Sequence, residues 1–216
     1  MDIIKAIASE LNVRNNQVEA AVKLIDEGCT IPFISRYRKE ATGALNDEQL
    51  RNLDERLKYL RNLEDKKTQV IASIAEQGLL TDELKNQIEK ADTMVAVEDL
   101  YRPYRPKRRT RATIAKEKGL EPLANVILLQ MTGEPVVKTA EEYVSEEKDV
   151  KTPEDAVAGA KDIIAESISD NADYRTRIRE LTFKEGVLTS AAKDAEAKTV
   201  YEMYYNFSEP AAKMAG

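Results

Sequence analysis

Apolar residues recur every three or four positions along most of this 216-residue chain, and that period predicts helices. Ile3, Ile4, Ile7 and Leu11 form one stripe over 2–11. Asn12-Val13 interrupts it, asparagine tolerating the left-handed geometry of a turn. Asn15 is then placed to cap a second helix carrying Val18, Ala21, Val22 and Ile25, which Gly28 ends. Two short helices on a tight turn make a helix-turn-helix-like unit, with Ala8 small enough to let them approach. Thr30 can cap a short helix with Pro32 in its first turn, ended by Thr42-Gly43. Asn46 and Gln49 have capping-box spacing. From there Leu50, Leu53, Leu57, Leu60 and Leu63, then Val70, Ile71 and Ile74, keep one face apolar until Gly78. The spacing predicts a helix of about 30 residues, near 45 Å long at about 1.5 Å per residue. Such a helix acts as a spine for shorter helices or as half of a coiled coil.

Further along, Thr81 caps a helix that turns Leu84 and Ile88 inward, and a short helical piece covers about 93–100. Residues 114–118, Gly119 and 122–131 read as helix, turn, helix. Residues 132–151 contain Gly133, Pro135 and mixed charges and read as a loop. Thr152-Pro153-Glu154-Asp155 is a helix start: a cap, a first-turn proline and an acidic first turn. Helical stripes then continue to about Phe207 with a break at Gly186, and no strand alternation of any length is visible. The expected class is all-α. Four segments follow from the breaks: a helix-turn-helix-like unit over 1–45, the spine over 46–78, a helical unit over 79–131 and a C-terminal helical segment over 132–216.

Composition removes several chemistries. Histidine is absent and Cys29 is the one cysteine. This excludes an internal disulfide, a cysteine-based zinc cluster and any triad or metal site that uses histidine. No glycine-rich phosphate loop and no nucleophile beside a base stands out, so neither an enzyme nor a cofactor is expected. No apolar run approaches the roughly 20 residues of a membrane span, and the start MDIIKAIASELN does not resemble a signal peptide. A cytoplasmic setting without membrane contact is the expectation.

Charge changes the picture more. The formal net charge is −6, yet residues 101–119 hold eight basic side chains and one acidic, net +7, between flanks of −5 and −8. This island opens with YRPYRPKRR at 101–109. Each proline restricts itself and the arginine before it, which predicts an extended, polyproline-II-like path. Tyr101 and Tyr104 would then share one side and Arg102 and Arg105 another, with Lys107, Arg108, Arg109 and Arg111 following. Cations beside rings can follow a phosphate backbone while the rings stack on bases. The alternative is a structural strap, with anchored tyrosines and arginines paired to acids such as Glu98 and Asp99. A second cluster, Arg36, Arg38 and Lys39, adjoins Glu40; there Phe33, Ile34 and Tyr37 read as core, and the charges read as a buried or half-buried Arg–Glu network ahead of the alternative, contact with nucleic acid. The second helix of the first unit turns Gln17, Glu19, Lys23, Asp26 and Glu27 outward, and the helix after Gly119 has no cation. Neither suits reading of a major groove.

TIPFISRYRKEATGALNDEQL (30–50), EDLYRPYRPKRRTRATIAKEKGLEPLA (98–124) and YEMYYNFSEP (201–210) occur in an order that resembles the N-terminal region of the bacterial Tex family of transcription accessory proteins. The resemblance covers nearly the whole chain. It implies a nucleic-acid-binding protein that acts in transcription, with weak, non-sequence-specific contacts to RNA or DNA made by the island. Family members continue into RNase-H-like, helix-hairpin-helix and OB-fold domains that have no counterpart in these 216 residues, so a truncated piece of a longer protein is expected. A second reading makes the chain a docking scaffold for the remainder of the full-length chain or for the transcription machinery, because the long leucine stripe has little chain to cover it.

Overall fold

The structure is a computed structural model that describes residues 2–106, 108–130 and 133–214. It is predominantly α-helical and forms two compact units, 1–98 and 99–216.

In the first unit, α1 (Ile3–Glu10), α2 (Asn15–Asp26), α3 (Ile31–Tyr37) and α5 (Asp82–Lys90) each pack on α4 (Asp47–Glu76), the expected spine of 30 residues. Its capping box is complete: Gln49 N donates to Asn46 Oδ1 at 2.8 Å and Asn46 N to Gln49 Oε1 at 3.0 Å. The leucine stripe from Leu50 to Leu63, with Val70 and Ile74, is buried against Ile7, Val18, Ala21 and Ile34 and their neighbours. The stripe expected to lack cover, which motivated docking to another surface, is thus covered by four short helices. Lys67 fills the gap in that stripe. Its ammonium is almost wholly buried and donates to Glu64 Oε1 (2.8 Å) and the Glu89 carbonyl (2.9 Å). Hydrogen bonding to this ammonium holds the Glu64 carboxyl below its ordinary range.

The turn between α1 and α2 follows the reading, with Asn12 at φ 53°. The α2 cap does not. Asn15 lies inside the helix and Arg14 precedes it, its backbone N–H donating to Gln17 Oε1 at 3.0 Å. The third helix stops at Tyr37, five residues before Thr42-Gly43, and the chain closes through a tight turn. Phe33 and Tyr37 face solvent, and Ile34 and Ser35 are the residues α3 buries.

The second unit is built on α10 (Pro153–Asp170), which packs against α7 (Arg111–Glu117), α8 (Glu121–Leu129), α9 (Val136–Ala140) and α11 (Ala172–Glu185). α6 (Met94–Tyr101) leads into it. Its core combines small and branched residues: Ala112, Ala115, Leu120, Leu123, Ala156 and Ala160. Gly159 belongs to this close approach, since a Cβ there would lie 2.4 Å from Leu120 Cδ1. Thr152 caps α10 as expected, and Asp155 of the acidic first turn completes a capping box with it. Two expectations are corrected. The 132–151 segment contains α9, a 3-10 turn and a Ser145–Val150 bridge that buries Ala140 and Val150. After Gly186 the chain forms an antiparallel hairpin, β1 (Val187–Ala191) with β2 (Asn206–Pro210), in place of helix. Its first strand is exposed along its whole length, so no buried face imposes an apolar alternation on the sequence.

Candidate nucleic-acid interface

The basic island is neither wholly extended nor wholly free. Tyr101 remains helical at φ −76°, ψ −24°, and Arg102–Tyr104 continue α6 as a 3-10 turn, with Arg105 N–H donating to the Tyr101 carbonyl at 3.0 Å. The expected polyproline path is thus corrected. Pro103 lies in the first turn of this element, where a missing N–H costs nothing, and the chain becomes extended only at Arg105, φ −66°, ψ 132°. Thr110 then caps α7. Its Oγ1 accepts from Thr113 N and also bonds Glu166 Oε1, both at 3.0 Å, which ties the end of the island to α10.

The tyrosines and arginines separate by environment. Tyr101 and Tyr104 are half-buried. Arg102 Nε donates to Asp170 Oδ1 at 2.8 Å, and Asp170 is nearly buried at the end of α10. Arg105, Arg108, Arg109 and Arg111 are exposed. Arg109 pairs with Glu117 at 2.7 Å and Arg111 loosely with Asp162 at 3.6 Å, both in solvent, where such pairs contribute little and exchange readily. Lys107 lies outside the described residues.

Among the described residues, Asp99 pairs outside the island. It is 4% exposed, and Arg175 Nε and Arg179 Nη2 of α11 bind its two oxygens at 2.6 and 2.5 Å. Burial pushes this carboxyl up, but the two guanidiniums outweigh it and hold it below the ordinary carboxylate range. Glu98 in turn binds Lys66 at 2.6 Å. Asp99, Asp170, Arg102, Arg175 and Arg179 together fasten the segment 99–104 to α10 and α11 within the second unit. Sequence reasoning missed this brace. A signal was present: Arg175 and Arg179 are four apart on one helical face, and Asp99 is an acid within the apolar run MVAVEDLY.

The arrangement supplies exposed cations on a capped, braced segment, which suits contact with phosphate. Among the described residues, no group of three carboxylate or cysteine side chains is placed to hold a metal ion, and no helix is long and apolar enough to cross a membrane.

Two family models match the chain. The Tex-like protein N-terminal domain matches residues 1–75, and the Tex central region-like model matches 132–216. The protein YdcI of Bacillus subtilis is 50% identical over 211 residues, covering 96% of this chain and 29% of YdcI. The transcriptional accessory protein Tex of Neisseria gonorrhoeae is 42% identical over 217 residues, covering 99% of this chain and 28% of its own length. The human S1 RNA-binding domain-containing protein 1 is 28% identical over 217 residues, 96% of this chain and 21% of that protein. The chain thus spans less than a third of the length of these curated relatives.

Proposed function

Because this chain belongs to the Tex family, as its N-terminal helical region, we propose that it is a helical scaffold of a Tex-like transcription accessory protein that adds weak, non-sequence-specific contacts to RNA or DNA. The contacts are assigned to Arg105, Arg108, Arg109 and Arg111. The observation behind this is that all four stand at the surface of the basic island, while Arg102, itself exposed, also binds the nearly buried Asp170. Lys107 extends the same basic run in sequence. The half-buried Tyr101 and Tyr104 fit anchors of the segment better than open stacking platforms. One relative is a transcriptional accessory protein by name and another carries an S1 RNA-binding domain by name, and a cytoplasmic setting accords with both. Converting the four arginines to alanine is expected to weaken binding of single-stranded RNA to a similar degree for unrelated sequences. Fluorescence anisotropy with two oligonucleotides of different sequence checks this, and unchanged affinity for both sinks the assignment.

A second reading, docking to the remainder of a longer chain, is favoured by a different observation. Tyr174, Ile178 and Leu181 lie at i, i+4 and i+7 on α11 and are all exposed, and α11 buries none of its residues. The helix is held by its charges while its apolar stripe faces solvent. On this reading the stripe covers a surface of the further domains that Tex relatives carry. Mixing this chain with a separately made C-terminal part of YdcI is expected to give a complex that Ile178→Asp abolishes; no association in a sedimentation experiment ends this reading.

A further inference from the structure

The first unit carries a cationic cluster that the fold does not use. α3 ends at Tyr37, and the chain reverses through 38–44 in a turn fixed from inside. Thr42 is fully buried, and its hydroxyl lies 3.2 and 3.3 Å from the Arg38 and Lys39 carbonyls. Gly43 and Ala44 take left-handed conformations, φ 60° and 65°, and Gln17 Nε2 of α2 donates to the Gly43 carbonyl at 2.7 Å. The backbone is therefore held from both sides while its side chains project outward.

Those side chains are Arg36, Tyr37, Arg38 and Lys39, with Glu40 beside them, and together they border a shallow depression. Among the described residues none of the three cations has an ion-pair partner, and neither has Glu40. Every arginine of α4, by contrast, has a carboxylate: Arg51 with Asp47, Arg56 with Glu10, Arg61 with Asp26. Tyr37 is 68% exposed and Phe33 38% exposed, their ring centroids 5.4 Å apart, and the Arg38 guanidinium lies 5.5 Å over the Phe33 ring. The half-buried Arg–Glu network expected from the sequence is therefore absent here, and two rings expected in the core stand in solvent. The three cations and the Tyr37 ring are therefore solvated and open to a ligand. Part of the cation placement is local, because positive charge is favoured at a helix C-terminus; that does not account for two adjacent exposed rings.

We propose that this surface is a second, separate contact site for single-stranded nucleic acid, in which Arg36, Arg38 and Lys39 bind successive phosphates and Tyr37 stacks on a base. An exposed ring among unpaired cations on a fixed turn is the combination that single-strand binding requires. An acidic peptide would use the cations and leave the ring idle. The site lies in the first unit, is built from its own residues and does not depend on the arginines of the island.

The test is anisotropy of a fluorescent oligouridylate of about 15 nucleotides at low salt, with the 216-residue chain already carrying Arg105→Ala, Arg108→Ala, Arg109→Ala and Arg111→Ala as the parent, so that the island does not mask a loss here. Arg36→Ala/Arg38→Ala/Lys39→Ala is expected to weaken binding about tenfold or more and to lower the slope of log affinity against log salt by about 2 units, roughly 0.7 for each phosphate lost. Tyr37→Leu keeps an apolar side chain but removes the ring; it is expected to weaken binding about fivefold or more with the slope unchanged. Both variants alter exposed positions, and an unchanged circular-dichroism melt establishes that each is folded. Binding within about twofold of the parent for both folded variants overturns the proposal. So does poly-L-glutamate binding that needs the three cations but not Tyr37, which would mark an acidic-protein surface instead. With the four island arginines already removed, a loss belongs to this site alone, and its failure is distinguishable from failure of the island assignment.

Discussion

Removing both Arg175 and Arg179 as alanines is expected to destabilise the second unit by about 3–5 kcal/mol, far more than removing two surface arginines elsewhere. The asymmetry comes from what is left behind. Both arginines are partly solvated, but Asp99 is 4% exposed and would remain as a buried carboxylate with no guanidinium. pH supplies a second signature. In the parent, the Asp99 pKa lies below its ordinary value of about 3.9. The stabilisation is therefore complete above about pH 4 and is lost as pH falls through the lower native pKa. In the double variant only burial acts, so the native pKa rises and the sign reverses: the deficit is largest near pH 7 and shrinks as acid protonates Asp99. Urea unfolding at pH 7 and at about pH 5 checks both points. A deficit that is small, or equal at the two pH values, would remove the brace from the account.

Leu60→Ala is expected to cost about 3–5 kcal/mol in the first unit. Leu60 is 1% exposed on the side of α4 that the other helices cover. Truncation gives up its transfer free energy and leaves a cavity that a 30-residue helix, gripped along its length, cannot collapse to fill. Leu181→Ala on α11 is the control. It removes the same atoms from an exposed site, so its cost stays within about 0.5 kcal/mol. Equal losses at the two positions, read from urea midpoints at unchanged slope, would contradict the burial pattern.

The contrast between these sites shows what could be read along the chain. Capping boxes at Asn46/Gln49 and Thr152/Asp155 involve residues three apart, and the spine is one uninterrupted period, so local rules suffice for them. The brace joins Asp99 to Arg175 and Arg102 to Asp170, which are 76 and 68 residues apart. Local chemistry names the charges there but not the partners. The prolines at 103 and 106 argued for an extended path, yet the helix before them carries the chain through one more turn before it opens. Phe33 and Tyr37 share a face of α3 four residues apart, which reads as core. Because α3 is only seven residues long, the single residue Ile34 with Ser35 satisfies its packing and leaves the aromatic face outside. At the candidate interface, the cluster of positive charge was legible. Which arginines are spent on structure was not.

The proposed phosphate-facing members of the island are Arg105, Arg108, Arg109 and Arg111, and not Arg102. The most direct measurement is the slope of log affinity for single-stranded RNA against log salt concentration, for the parent chain, the variant lacking those four and Arg102→Ala. The slope is expected to be lower by about 3 units in the four-arginine variant, roughly 0.7 for each of four phosphates, and unchanged in Arg102→Ala. A slope that is the same in the parent and the four-arginine variant would contradict the assignment.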